Sequence, residues 1–287
     1  MMSIRPQTIQ IYLPGGVPHG IRIAELTTRI VQVVEVPRAL LSEFLAMPDN
    51  DRVSVYLLHG EDDSARQKVY IGQTSNLPTR LNTHQKEKDF WERALVIQSK
   101  TNSLTQTHAL YLEWLCLQEA KKANRYLSEN GNAGSKPHTP APMQADCDEI
   151  FDTAKVLLAT LGYAVFDPVL TQQEAAEGTP YFCEKSGAKA EGKYTPEGFV
   201  VLSGSTGRAE VSSSFENTHT YGQLRRNLIN QGKLEVRAGK LVFLDNVLFA
   251  SPSAAAAVVA GTPSSGWKEW RTRDGRTLEE LERRKPT

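Results

Sequence analysis

Cysteine is scarce in this chain of 287 residues: there are three, at Cys116, Cys147 and Cys183. They are far apart, odd in number and in no metal-ligand spacing. That argues against a disulfide framework and a zinc scaffold, and for a reducing compartment. No run of 18 apolar residues occurs, so no membrane span is expected. The opening MMSIRPQTIQIYLPGG lacks the basic-then-apolar plan of a secretory signal, and the expected location is the cytoplasm. Three chemical signatures are also missing: a phosphate-cradling glycine loop with lysine, His-Glu-x-x-His, and Cys-x-x-Cys. His19, His59, His108, His138 and His219 make no metal spacing and read as ordinary core or surface histidines.

Net charge is zero, so there is no global pull toward a polyanion. The distribution is uneven. Residues 1–63 hold five basic and eight acidic side chains, and residues 64–125 hold ten and five. Residues 126–180 hold two and eight, and residues 181–287 hold sixteen and twelve. Two basic segments flanking an acidic one are compatible with two surfaces facing an anionic polymer, and equally with chance variation on solvated faces.

Hydrophobic residues make up 40% and charged residues 23%, as in a globular protein. Alternating patterns predict strands at 7–13, 20–26 and 30–36, followed by a helix entered through Pro37. VSVYLL (53–58) and KVYIG (68–72) read as a hairpin pair. A helix capped by Ser75 or Asn76 runs to about Lys86, and a strand covers 91–99. A long helix is expected over roughly 105–122 and an acidic one over about 145–163. Beyond a linker at 170–180 the pattern shifts to short strands around glycine turns. A helix ends there at Gly232, KLVFLDNVLF reads as a hairpin turning at Asp245-Asn246, and SPSAAAAVVAG reads as a capped helix.

On the long helix, Glu113 points within about 60° of Ala109, Leu110, Cys116, Leu117 and Ala120, a carboxylate in an apolar stripe. An unpartnered carboxylate there costs several kcal/mol in practice, so a cation, a hydrogen-bond network or a cleft mouth must compensate. On the short helix, Arg80 and His84 are four apart and share a face, beside Leu77 and Leu81. Tyr56 and Tyr70 fall near the middle of neighbouring strands, where a core tyrosine is commonplace.

In combination these residues resemble the GIY-YIG nuclease family. Ser54-Val55-Tyr56 stands for the first half-motif and Tyr70-Ile71-Gly72 for the second. The family's arginine falls on Arg80, its helix histidine on His84 and its metal-binding glutamate on Glu113. Its asparagine falls on Asn130, with Asn132 as an alternative. Ser54 replaces the first glycine. A further basic position is open among Lys86, Lys88 and Arg93. The resemblance covers about residues 52–132. It implies hydrolysis of DNA phosphodiester bonds with one Mg2+ or Mn2+ ion on Glu113, Arg80 on the phosphate, and Tyr56, Tyr70 and His84 around the attacking water. A base role for Tyr56 needs cations to lower a pKa that normally lies near 10.

The later stretches YTPEGFVVLSGSTGRAEVS, LRRNLINQGKL, LVFLDNVLFASPSAAAAVVAG and GWKEWRTRDGRTLEEL look like a small uncharacterised domain, DUF4357, that often follows GIY-YIG modules. Trp267 and Trp270 sit beside Lys268, Arg271, Arg273 and Arg276. Stacking on nucleic acid and plain core packing are both open for them, with packing the commoner case.

The expected fold class is mixed α/β, specifically α+β. A small three-stranded antiparallel sheet flanked by helices (52–132) follows an N-terminal α+β extension (1–51). A linker with an acidic helix (133–170) leads to a C-terminal α+β domain (171–287). The expected function is a metal-dependent DNA endonuclease, and the rival is a nucleic-acid-binding protein that does not cut. One site cuts one strand, so duplex scission calls for a homodimer, a partner protein or two visits.

Overall fold

The structure is a computed structural model that describes residues 6–48, 50–62, 66–131, 134–211, 215 and 220–283. Asn132 and His219 lie outside the described residues. The chain divides into two compact units, Met1–Pro168 and Val169–Thr287. Among the described residues no helix is long and apolar enough to cross a membrane.

The first unit is built on one seven-stranded sheet in the order β1-β2-β3-β6-β4-β5-β7. Its strands are β1 (Ile9–Tyr12), β2 (Arg22–Leu26), β3 (Val31–Pro37), β4 (Ser54–Glu61), β5 (Gln67–Thr74), β6 (Trp91–Ser99) and β7 (Leu127–Ser128). The three antiparallel strands expected between residues 52 and 100 are present as β6-β4-β5. They do not form a separate small sheet. β3 pairs with β6 along its whole length, so residues 9–37 extend the same sheet. The reason is legible in β6, whose residues from Ala94 to Ser99 are all buried. A strand covered on both faces and lying beside β4 still needs a partner for its other edge.

Each face of the sheet is covered by helices. Val55, Leu57, Val69, Ile71, Leu95 and Ile97 point to one side, under α3 (Gln106–Ala123) and α4 (Ala141–Thr160). Tyr56, Leu58, Ala94 and Val96 point to the other, under α1 (Leu41–Ala46) and α2 (Leu77–Glu87). The alternation of odd and even positions along β4 therefore assigns Tyr56 to the α2 side. A buried ionic tie also holds this unit together. Glu35 on β3 is bound by Arg22, by the Tyr163 hydroxyl at 2.8 Å and by Arg93 at 3.5 Å.

The second unit has two sheets. One runs β14-β10-β9-β8, from β8 (Pro180–Cys183), β9 (Ala190–Thr195), β10 (Gly198–Val201) and β14 (Val247–Phe249). The other runs β11-β13-β12, from β11 (Thr206–Arg208), β12 (Leu234–Arg237) and β13 (Lys240–Phe243). The hairpin expected across Asp245-Asn246 is absent: β13 and β14 belong to different sheets. The Asn246 side chain accepts from the Ser203 N–H at 2.9 Å, and the Ser203 hydroxyl donates to the Leu244 carbonyl at 2.8 Å. These bonds turn the chain from one sheet to the other. The helix Pro252–Ala260 is capped as expected, with the Ser251 hydroxyl accepting from the Ala254 N–H and Gly261 at φ 65° closing the far end. Its small side chains let it sit in the core beside Phe199, Phe249 and Trp270.

Candidate functional site

Tyr56 and Tyr70 lie on the same face of paired strands. Tyr56 is opposite Gly72, and Tyr70 is opposite Leu58, two residues along. Their rings are 6.3 Å apart. Gly72 makes room for this arrangement. A Cβ there would lie 2.5 Å from the Tyr56 hydroxyl oxygen, well inside contact distance. The glycine of the Tyr-Ile-Gly run is thus a clearance for the first tyrosine.

The α2 helix sets the other groups above the phenols. The Asn76 side chain caps it by accepting from the Thr79 N–H at 3.1 Å, and Pro78 occupies its first turn. Leu77 and Leu81 anchor it in the core. Its next row carries Arg80 and His84, four residues apart and facing the sheet. The Arg80 Nε–H donates to Tyr56 Oη at 3.0 Å, and Nη2 reaches Tyr70 Oη at 3.4 Å. His84 Nε2 lies 2.8 Å from the same Tyr56 oxygen. An arginine only donates, so Tyr56 accepts from Arg80, and the direction of its second hydrogen bond, with His84 Nε2, follows the imidazole tautomer. Nδ1 is buried and has no hydrogen-bond partner among the described residues.

Burial, with Arg80 and Lys88 adding to it, pushes the His84 pKa down to about 4. Tyr56 is pushed upward instead. Burial outweighs the opposing bond from Arg80, and Glu113 adds to the rise. Arg80 draws this phenol down, as a base role requires, but burial of the ring, at 0% exposure, outweighs it. Tyr70 is only half-buried. Lys88 lies 4.4 Å above its ring centroid. Of the three basic residues left open by the sequence, Lys88 is the one beside the phenols. Arg80, His84 and Lys88 are spaced four apart, and that spacing is the signal that singles it out. Lys86 is exposed on α2, and Arg93 belongs to the Glu35 tie.

Glu113 on α3 is half-buried. Burial raises its pKa, while the Gln73 N–H and the Arg80 charge draw it back. The acceptor bond from Gln73 puts the carboxylate near the end of β5, one residue past Gly72, the residue paired with Tyr56 on β4. Ala109 and Cys116 beside it are buried, whereas Leu110 is 41% exposed. Glu113 therefore stands at the margin of the apolar stripe.

Asn130 lies at the edge of β5. Its carboxamide accepts from the Ile71 N–H at 2.9 Å and donates to the Ile71 carbonyl at 2.7 Å. Both ends of the amide are used on the edge of β5, continuing the parallel pairing of β7. This ties Asn130 to the backbone of Ile71, the residue between Tyr70 and Gly72. Lys268 and Arg271 belong to the second unit, where both are exposed. Trp270 there is core, with its indole N–H donating to the Pro252 carbonyl at 3.0 Å.

No group of three His, Cys, Asp or Glu side chains that could hold a metal occurs among the described residues. The lone carboxylate of Glu113 is a donor of the kind that Mg2+ or Mn2+ takes, hard cations that bind through one or two carboxylates and complete their shell with water and substrate phosphate.

Residues 181–282 match a protein family described as a domain of unknown function (DUF4357). No curated protein and no solved structure matches the chain.

Proposed function

We propose that the first unit is a divalent-metal-dependent endonuclease that hydrolyses DNA phosphodiester bonds. The observation that carries this reading is the hydrogen-bonded set of Arg80, Tyr56, Tyr70 and His84, with Glu113 approaching from a different helix. An ordinary core tyrosine needs one partner. Here one phenol oxygen serves both an arginine and a histidine, and a half-buried carboxylate lies close enough to perturb it.

Hydrolysis forms a bond from water oxygen to phosphorus and breaks the bond to the leaving sugar oxygen. Negative charge grows on the phosphoryl oxygens, and fixed cations aimed at it are the main protein contribution. Arg80 is suited to that task. Its Nε and Nη2 are held by the two phenols, while Nη1 has no partner among the described residues. Tyr56 is buried and accepts from the Arg80 Nε–H, so it acts by fixing the guanidinium plane. Neutral His84 fixes Tyr56 in turn. Tyr70, the phenol with solvent exposure, orients the attacking water. Glu113 would hold Mg2+ or Mn2+, which supplies Lewis-acid stabilisation of the phosphoryl charge when bound.

Nicking of supercoiled plasmid by the full chain tests these roles. Arg80→Ala should lower the rate by on the order of a hundredfold or more, and Tyr70→Phe should follow it. Unchanged nicking by Arg80→Ala would remove the observation on which the reading stands. A protein that binds DNA without metal and cuts none of it would be a non-cleaving binder.

A further inference from the structure

The three-stranded sheet of the second unit carries a row of cations on its outer face. Arg208 on β11 is paired with Lys240 on β13, and Lys240 is paired with Arg237 on β12. Residues directly opposite one another project from the same face, and all three are exposed. Leu241 and Phe243, which alternate with them along β13, are buried in the core. Lys189 bridges to Thr206, two residues from Arg208, and adds a fourth exposed cation to that face. The register is fixed by a two-residue turn, Ala238–Gly239, with both φ values positive at 49° and 71°. Such a turn sets which residues face each other, so the row is built into the hairpin.

Like charges directly opposite one another destabilise a sheet. Guarding an exposed edge explains cations on outer strands. It does not explain Lys240, because β13 is the central strand. Neutralisation is also thin. Glu235 lies on the same face and is bound to Arg237 at 2.8 Å. Among the described residues no carboxylate pairs with Arg208, Lys240 or Lys189. Strands are spaced about 4.8 Å apart, so the row of three spans about 10 Å, enough to meet successive phosphates of one strand.

We infer that this sheet face is a docking surface for the DNA phosphate backbone, independent of base sequence. The choice of DNA as partner rests on the nuclease reading of the first unit; the surface itself does not. It gives the second unit a way to hold the substrate through Arg208, Lys240 and Arg237.

The test is fluorescence anisotropy of a labelled 20-base-pair duplex with the full-length protein, without divalent metal, across a KCl series. Glu113→Gln is compared with the same protein carrying Arg208→Gln, Arg237→Gln and Lys240→Gln. The charge-stripped protein should bind on the order of tenfold or more weakly. The slope of log K against log salt should fall by about 0.9 for each lost phosphate contact. Its melting temperature should be unchanged or higher, because like-charge pairs have been removed. Equal affinity and equal slope would overturn the inference. So would absence of duplex binding by the parent protein, including the case in which it binds anionic phosphatidylserine vesicles instead. Nicking is scored separately on the unmodified chain with Mg2+. DNA binding without nicking sinks the nuclease reading alone, and nicking with an unchanged salt slope sinks the sheet face alone.

Discussion

At the scale of single residues, one phenol oxygen organises the site. Tyr56 accepts from Arg80 and is hydrogen-bonded to His84, and Gly72 leaves room for it. Gly72→Ala should therefore cost about 1–3 kcal/mol, the range for overpacking a full core. A urea titration checks this, and a midpoint equal to that of the parent would contradict it. His84 gives a pH signature. Its pKa is depressed from 6.5 in the unfolded chain to about 4 in the folded one. Between those values the unfolded chain binds the extra proton and the folded chain does not. The stability His84 contributes is thus fully present above pH 6.5 and is lost as pH falls toward 4. The loss should be on the order of 3 kcal/mol, and His84→Gln should flatten that part of the stability profile.

At the scale of elements, the site depends on β5 being held at both edges. β4 holds one edge, and β7 with the Asn130 carboxamide holds the other. Asn130→Ala removes two hydrogen bonds to Ile71 and should cost about 1–3 kcal/mol. Hydrogen exchange should accelerate at the Ile71 amide more than at amides of β6; equal change at both would make the effect global. Much of this level was legible in the sequence. The strand Trp91–Ser99, the capped α2 and the paired strands bearing Tyr56 and Tyr70 follow from alternation, caps and breakers. The failures are tertiary. Nothing local in KLVFLDNVLF says that β14 leaves β13 for another sheet, because that depends on Ser203, forty-odd positions away. The rise in the Tyr56 pKa was hidden for the same reason. The sequence supplies Arg80, but only the packed structure shows how completely the ring is buried.

At the scale of the molecule, two units each carry their own core. The N-terminal strands are part of the first core, since β3 pairs with β6 and Glu35 ties Arg22 to Tyr163. A fragment ending at Pro168 should fold cooperatively by circular dichroism, whereas one beginning at residue 52 should not, because it leaves β6 without a partner. Independent folding of the 52–168 fragment would contradict this account of the sheet. The sequence placed Tyr56, Tyr70, Arg80, His84 and Glu113 in one site, and the chemistry proposed for them is the central claim. Its most direct test is incubation of purified protein with supercoiled, single-stranded, branched and methylated DNA in Mg2+ or Mn2+, with Glu113→Gln alongside. The account predicts metal-dependent nicking of at least one substrate that falls by about a hundredfold or more in the variant. Cleavage that survives the loss of Glu113, or no cleavage of any substrate with DNA binding intact, would contradict it.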